Sequence, residues 1–172
     1  RASLVTVHSA GNKNHITELK GIDERKVKIL NNWIDTDEMK PLPRDNEFSR
    51  TYDLNNKFIV GYAGTLGMSQ GLMSVIEAAY IIRDKKNIEF FIVGDGFEKE
   101  KMLGRVNELS LKNVRFLEMQ PKSIYPQVVA SSDVGLVTLN SKVNTPVVPS
   151  KILSIMAAGR PVLASLPLGG DA

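Results

Sequence analysis

From residue 58 onward, apolar and polar positions alternate in blocks along the chain. Short, nearly continuous apolar runs are each followed by a turn and then by a stretch in which apolar residues recur at helical spacing. Continuous runs rich in Val, Ile and Phe are typical of strands that are buried on both faces of a sheet. The pattern predicts five strands, at residues 58–64, 88–94, 114–117, 133–139 and 161–165.

Four amphipathic stripes separate or follow these strands and predict helices, because their apolar residues fall on one face of a helix. The stripes span residues 72–79, 102–109, 124–129 and 152–157. Serine is a preferred N-cap residue, and three serines stand at or just before a stripe: Ser69, Ser123 and Ser150. Gly159, two residues before Pro161, is predicted to follow the end of the last helix.

Strands that alternate with helices require crossover connections, which are right-handed and produce a parallel sheet. The predicted fold class is therefore α/β: a Rossmann-like three-layer domain with a parallel sheet and helices on both faces. We assign the apolar stripes to its core, because large apolar side chains are usually buried.

The first 57 residues have a different pattern. Two short strands and a helix between them are predicted at residues 4–7, 27–30 and 15–20. A polar, proline-containing stretch follows at residues 31–43, as is typical of a linker between domains.

We therefore place a domain boundary near Pro41. Residues 1–40 are interpreted as the tail of a preceding domain with its linker, and residues 41–172 as the Rossmann-like domain. The chain begins at Arg1 without Met and ends just after a strand. We expect it to be a fragment of a larger protein, with this domain truncated at its C-terminus.

Composition excludes several classes of function. The 172 residues contain no cysteine and only two histidines, His8 and His15, which we interpret as structural or exposed. Disulfide scaffolds, thiolate metal sites and cysteine nucleophiles are excluded, and a multi-histidine metal site has little to draw on. A net charge of +3 gives no particular indication of nucleic-acid binding. No apolar run approaches the ~18 residues that a membrane helix needs.

Glycines follow the first predicted strand, in the stretch Gly64, Thr65, Leu66, Gly67. In an open parallel sheet, ligands bind beyond the carboxyl ends of the strands. Glycines at a strand-to-helix turn let backbone amides approach a phosphate. A turn that only packs tightly explains the same residues, so both interpretations stay open.

Two further clusters follow later strands. Gly94, Asp95 and Gly96 allow either a ligand or another backbone to come close, and Asp95 either accepts a sugar hydroxyl or caps the next helix. Lys151 follows Ser150 at the predicted start of the fourth helix. Free amides, helix dipole and a cation converge there, which favours an anion; the alternative is a solvated lysine.

Six segments taken together are more specific than any one of them alone. They read Asn-Trp-Ile-Asp at 32–35, Tyr-Ala-Gly-Thr-Leu-Gly at 62–67, Phe-Ile-Val-Gly-Asp-Gly at 91–96, Phe-Leu at 116–117, Pro-Ser-Lys-Ile at 149–152 and Met-Ala-Ala-Gly-Arg-Pro-Val-Leu-Ala-Ser at 156–165. In this combination the chain resembles family 4 retaining glycosyltransferases of the GT-B fold, in which two Rossmann-like domains face each other across a cleft. It is most similar to bacterial surface-polysaccharide members such as the N-acetyl-L-fucosamine transferases of O-antigen synthesis.

The resemblance implies that the chain is the C-terminal, donor-binding domain plus the last stretch of the acceptor domain. Such enzymes transfer a sugar from a UDP-, GDP- or similar donor with retention at the anomeric carbon. Positive groups and helix amides, rather than a metal, stabilise the leaving diphosphate. The other domain would carry the catalytic residues and a glycan or lipid-linked glycan acceptor, and the implied location is the cytoplasm, peripheral to the inner face of the plasma membrane.

The resemblance also implies a set of donor-binding positions, with the base near residues 118–120 and the ribose and donor sugar near the fourth helix. They are Gly64, Thr65, Leu66, Gly67, Gly94, Asp95, Glu118, Met119, Gln120, Ser150, Lys151, Ile152 and Ser154.

Four positions depart from the family pattern. Thr65 and Gln70 stand where many members have diphosphate-binding cations, and Pro146 and Ser154 stand where many have a pair of glutamates. Serine would bind ribose hydroxyls more weakly than glutamate because its reach is shorter. Lys151 is then the best remaining cation for a diphosphate.

Two other functions compete with sugar transfer. A nucleotide-sugar epimerase of the same fold would need an acid–base pair, which Asp95 and Glu118 do not obviously form. A non-catalytic, degenerate nucleotide-binding module would explain the missing cations and glutamates. The fragment alone is expected to bind a nucleoside diphosphate weakly and to transfer no sugar, because retaining transfer needs donor and acceptor in near-attack geometry and half of the cleft is missing.

Overall fold

The computed structural model describes residues 2–168 and 170–172. The strands of this part of the chain are β1 Val5–Val7, β2 Val27–Ile29, β3 Phe58–Ala63, β4 Ile88–Val93, β5 Val114–Leu117, β6 Val134–Thr138 and β7 Val162–Ser165. The α-helices are α1 Ala10–Asn14, α2 Glu47–Thr51, α3 Met73–Ile81, α4 Lys99–Glu108, α5 Tyr125–Ala130 and α6 Lys151–Ala157. A π-helix, His15–Leu19, continues α1.

The larger sheet has five strands in the order β5-β4-β3-β6-β7, and every neighbouring pair is parallel. The chain therefore builds outward from β3 to β5 and then crosses back to β6 on the other side. This reversal makes the gap between β3 and β6 the topological switch point, where open α/β sheets form a ligand crevice. The predicted strands are confirmed, except that Gly64, Gly94 and Leu139 lie in the loops that follow them, and Asp133 and Pro161 come just before β6 and β7.

Side chains of the central strands alternate between two buried layers. Val60 and Tyr62 pack with α3 and α4 on one face, while Ile59 packs with α2 and α5 on the other. Val137 packs with α6 on this second face. The three-layer α/β fold class is thus confirmed, and its continuous apolar runs reflect strands covered on both sides.

The three predicted serine caps are not formed. Ser69 and Ser123 lie inside short 3-10 turns, and Ser150 stands at the start of α6 with helical backbone angles and no capping hydrogen bond from its side chain. Gly159 does follow α6, with φ of 67°. Its N–H donates to Met156 and the next N–H, of Arg160, to Ile155. This is a Schellman motif, which satisfies the last carbonyls of the helix.

The N-terminal segment forms a small two-stranded parallel sheet, β1 with β2, beside α1 and its π-helix. The two strands and the helix predicted here are confirmed in type. Several of its large apolar side chains are exposed, Leu4, Leu19, Leu30 and Trp33 among them. A core this small cannot cover the apolar side chains that its own strands and helix present.

A short stretch before β3 is tied to the large sheet more firmly than a linker pattern suggests. The Arg44 guanidinium pairs with Asp133 at 2.8 Å and donates to the carbonyls of Leu54 and Lys57. Helix α2, which the sequence patterns do not predict, buries Phe48 against the sheet. Met39 also packs on the sheet domain, so this core begins just ahead of Pro41, and the division at residues 40 and 41 stays a prediction.

Candidate functional site

The candidate site lies where β3 and β6 end, on the carboxyl edge of the sheet. Residues 64–67, which we call the glycine turn, leave β3 with a φ of 141° at Gly64. The Leu66 side chain is fully buried in the core, so only its backbone could face a ligand. Leu66 therefore anchors the turn to the core with its side chain and presents only its peptide groups at the surface.

A second turn, residues 94–96, packs directly beneath the glycine turn. A Cβ on Gly94 would lie 1.9 Å from the Gly64 carbonyl oxygen. The Leu66 N–H donates to the Asp95 carbonyl at 2.8 Å. The two glycines of this second turn thus serve close contact between two backbones, one of the two interpretations left open by the sequence.

The Asp95 side chain does not cap helix α4. Its carboxylate accepts a hydrogen bond from the N–H of Gly96 at 2.7 Å, and the N-cap position of the helix is held by Glu98. The helix-cap interpretation is wrong because α4 begins three residues later than a cap at Asp95 would require. The carboxylate is left largely exposed.

Lys151, the first residue of α6, extends across the crevice onto the glycine turn. Its Cε lies 2.5 Å and its Nζ 3.0 Å from the position that a Cβ on Gly64 would take. Its Nζ also lies 5.2 Å from the centroid of the Tyr62 ring. Burial lowers the pKa of this lysine, and no carboxylate among the described residues pairs with it. The structure thus holds a half-buried cation against the glycine turn, not the freely solvated lysine of the alternative interpretation.

The polar loop, residues 139–150, forms the opposite wall of the crevice. Its residue Asn140 donates from its backbone to the Ser69 carbonyl at 2.8 Å and from its side chain to the Met68 carbonyl at 3.2 Å. A Cβ on Gly71 would lie 2.9 Å from the Cα of Asn140. These contacts tie the start of the loop to the segment that follows the glycine turn.

The N-terminal segment also contacts the polar loop. The Asn12 side chain donates to the Pro146 carbonyl at 2.5 Å. Between the two lies a cavity of about 700 Å³, with His15 on one side and Ser141 and Thr145 on the other. No sequence pattern points to Asn12 or His15 as site residues, because a contact such as that of Asn12 with Pro146, across 134 residues of chain, leaves no local pattern.

The positions implied for the nucleobase lie over the other half of the sheet. Glu118 pairs with Lys99 at 2.9 Å, and Asp95 lies 4.0 Å from the same ammonium. The hydrogen bond from Lys99 to Glu118 is the main cause of the raised pKa of the lysine. Met119 is exposed beside them, and the Gln120 side chain donates to the Glu118 carbonyl.

The remaining predicted positions differ in exposure. Ser150 and Ile152 stand in the first turn of α6 next to Lys151. Ser154 is 7% exposed. Burial raises the pKa of the neighbouring Tyr125, and the Ser154 hydroxyl offsets a smaller part of that rise. A ribose contact to Ser154 remains a prediction, which requires this hydroxyl to become accessible.

Among residues 2–168 and 170–172, no group of three or more His, Asp or Glu side chains is arranged to hold a metal ion. In the same part of the chain, no helix has both the length and the apolar character needed to cross a membrane.

Comparison with known proteins gives a consistent picture. A family profile described as "Glycosyl transferases group 1" matches residues 57–171. The putative colanic acid biosynthesis glycosyl transferase WcaI of Escherichia coli (strain K12) is 31% identical over 143 residues, which are 81% of this chain and 35% of WcaI. The probable glycosyltransferase WbjE of Pseudomonas aeruginosa is 28% identical over 150 residues, which are 87% of this chain and 37% of WbjE.

A solved structure shares the fold. The crystal structure of Anabaena Alr3699/HepE in complex with UDP and glucose superposes with a TM-score of 0.81 at 24% identity, and covers 95% of this chain and 44% of that one. The chain thus spans about a third of the length of the two curated relatives and under half of this structure.

Proposed function

The chain belongs to the group 1 glycosyl transferases, and on that premise we propose that it is the nucleotide-sugar-binding domain of a retaining, family 4 glycosyltransferase. The observation that carries this proposal is the position of Lys151. A half-buried ammonium without a carboxylate partner among the described residues lies against the peptide groups of the glycine turn. A diphosphate offers the negative charge and the acceptor oxygens that this arrangement lacks.

The proposed role of Lys151 follows from the place where negative charge develops during sugar transfer. In transfer from a nucleoside diphosphate sugar, the bond between the anomeric carbon and the diphosphate oxygen breaks, and negative charge grows on the departing diphosphate. An ammonium already fixed in a partly dry crevice stabilises that charge without reorganisation. We propose that Lys151 and the peptide N–H groups around it do so, with no metal ion.

The proposed donor lies along the carboxyl edge of the sheet. Its base contacts Glu118, Met119 and Gln120, its diphosphate lies between the glycine turn and Lys151, and its sugar extends along the polar loop. The exposed carboxylate and thioether of the 118–120 loop offer polar and apolar surface for a base. We favour a uridine nucleotide because HepE, which has the same fold, is in complex with UDP-glucose in one of its structures.

The proposed biological role is bacterial surface-polysaccharide synthesis. WcaI is named for colanic acid biosynthesis and WbjE as a probable glycosyltransferase. We propose that the whole protein transfers a sugar to a glycan or lipid-linked glycan in the cytoplasm, at the inner face of the plasma membrane, as the N-acetyl-L-fucosamine transferases do. The 172-residue chain by itself is expected to bind donor without transferring sugar, because the acceptor side of the cleft is needed for near-attack geometry.

Calorimetric titration of the chain with UDP and with uridine tests donor binding. We expect UDP to bind at least tenfold more tightly than uridine, with no requirement for a divalent cation. Equal affinities would contradict the proposal. Product analysis of the whole protein with a panel of nucleotide sugars then separates transfer from epimer formation and from binding without turnover.

A further inference from the structure

Tyr62 is a buried tyrosine whose hydroxyl is directed at the glycine turn. It is the penultimate residue of β3 and is 1% exposed. A hydroxyl in a protein core is costly unless it is hydrogen-bonded, and this one donates to the Thr65 carbonyl at 2.8 Å. Phenylalanine would fill the same space, so the hydroxyl has to be explained by this contact.

The hydrogen bond fixes one end of a peptide unit whose other end is also held. The Thr65 carbonyl and the Leu66 N–H belong to the same planar unit and point in opposite directions. The carbonyl accepts from Tyr62, and the N–H donates to the Asp95 carbonyl at 2.8 Å. This peptide therefore cannot rotate without losing both bonds.

The preceding peptide unit is oriented by packing. The Gly64 carbonyl oxygen is in contact with Gly94, 1.9 Å from the place of an added Cβ. Because the two ends of a trans peptide are opposed, the N–H of Thr65 points away from the second turn. Among the described residues it donates to no backbone carbonyl, so it is available to an anion.

The ring of Tyr62 has a second role. The Lys151 ammonium lies 5.2 Å from the ring centroid, within the ~6 Å range of a cation–π interaction. The same side chain thus contacts both components of the proposed phosphate site, the turn through its hydroxyl and the cation through its ring.

We propose that Tyr62 is a positioning residue of this site: it fixes the peptide orientation of the glycine turn and places Lys151 over it, so that a nucleoside diphosphate meets a preformed anion pocket. This inference rests on the proposed function. It adds to that function a specific residue that touches no ligand and yet sets the affinity for the diphosphate.

Two variants separate the two contacts. Tyr62→Phe removes the hydroxyl and keeps the ring, and should reduce the preference for UDP over uridine roughly 3–10-fold, as expected for one lost hydrogen bond. Tyr62→Leu removes both and should reduce it about 10–50-fold. Uridine affinity should stay the same in both variants. Tyr80→Phe, which changes an exposed tyrosine near the end of α3, is the control and should bind like the wild type.

The outcomes distinguish this inference from the proposed function. A wild type that binds UDP no better than uridine overturns both. A wild type with that preference and a Tyr62→Phe variant that keeps it in full overturns the role of Tyr62 alone. A variant that weakens UDP and uridine equally shows a merely structural role and also overturns it.

An NMR measurement on the wild type tests the position of Lys151 over the Tyr62 ring without requiring that a variant folds. Protons held over an aromatic face shift upfield in the NMR spectrum, so the Lys151 Cε protons should appear upfield of those of exposed lysines such as Lys112. Tyr62→Phe should retain this shift and Tyr62→Leu should lose it. Lys151 protons at ordinary lysine positions in the wild type would overturn the placement.

Discussion

The two walls of the crevice are built in different ways. The glycine turn is held by contacts between backbones, with Gly94 against the Gly64 carbonyl and the Leu66 N–H bonded to the Asp95 carbonyl. The polar loop, residues 139–150, has no regular secondary structure before Ser150. It is tied at its start by Asn140 and farther along by the Asn12 side chain.

The difference matters for binding a diphosphate. A phosphate site gains most affinity when its N–H groups are fixed in place before the ligand binds. The wall that carries the glycine turn meets that condition. The polar loop is suited to a part of the ligand that varies, because loops tolerate sequence change. Lys151 connects the two, since it follows the polar loop in sequence and lies on the glycine turn in space.

The largest effect is expected from a substitution that disrupts the packing of the glycine turn against residues 94–96. Gly94→Ala would place a Cβ 1.9 Å from the Gly64 oxygen at a φ of 154°, so we expect a loss of roughly 3 kcal/mol or more in the free energy of unfolding, measured by urea denaturation. UDP binding should fall as well, because the turn must shift. Gly104→Ala is the matched control: it lies within α4 with open space around its Cβ, and should stabilise by about 0.5–1 kcal/mol. A Gly94→Ala protein as stable as the wild type would show that the two turns are not locked together.

The second prediction concerns the positive charge of Lys151, which lies between the two walls. Lys151→Met keeps most of the side-chain stem and should reduce the preference for UDP over uridine about 10–150-fold, the range expected for a charge-assisted contact of roughly 1.5–3 kcal/mol. The free energy of unfolding should not fall, because the variant no longer keeps a charge half-buried. Lys112→Met makes the same charge change at the amino edge of the sheet and should leave the preference unchanged. An unchanged preference in Lys151→Met would move the phosphate contact to the glycine turn alone.

The sequence predicts the two walls unequally, and for a physical reason. Five strands and the glycine turn follow from local patterns, since buried strands and glycine-rich turns are encoded within a few residues. The sequence shows only that Gly64 and Gly94 permit a close approach of another group. That they approach each other depends on the order of the strands in the sheet, which local patterns do not give. Asn12 contacts the distant polar loop and the Tyr62 ring contacts Lys151, so no local spacing reveals these two contacts. Ser69 and Ser123 do not cap because each lies inside a 3-10 turn ahead of its helix, and Ser150 does not because its own backbone is already helical.

The third prediction concerns the pH dependence of UDP binding, which should follow the charge of Lys151. Burial lowers the pKa of Lys151, so its positive charge is lost at a lower pH than the ~10.4 of an ordinary lysine. The facing tyrosines, Tyr62 and Tyr125, have pKa values raised by burial and stay neutral in this range. The preference for UDP over uridine should therefore begin to fall at a lower pH than an ordinary lysine would give, in a range where the phosphates (pKa ~6) no longer titrate. A single proton limits this fall to at most about tenfold per pH unit. Lys151→Arg should flatten this fall, since arginine stays charged; an equally steep fall in that variant would exclude Lys151 as the titrating group.

The smallest effect is expected where the polar loop meets the N-terminal segment. Asn12→Ala removes the hydrogen bond to the Pro146 carbonyl and should cost about 1 kcal/mol, seen less in the global unfolding curve than as faster amide exchange in the polar loop. The glycine turn should keep its protection, because none of its own contacts involves Asn12. Asn14→Ala, an exposed asparagine of the same helix, is the matched control. Faster exchange in both walls would mean that they respond as one unit and that the contrast between them is wrong. Faster exchange confined to the polar loop would show that the diphosphate pocket stays preformed while its sugar-side wall moves.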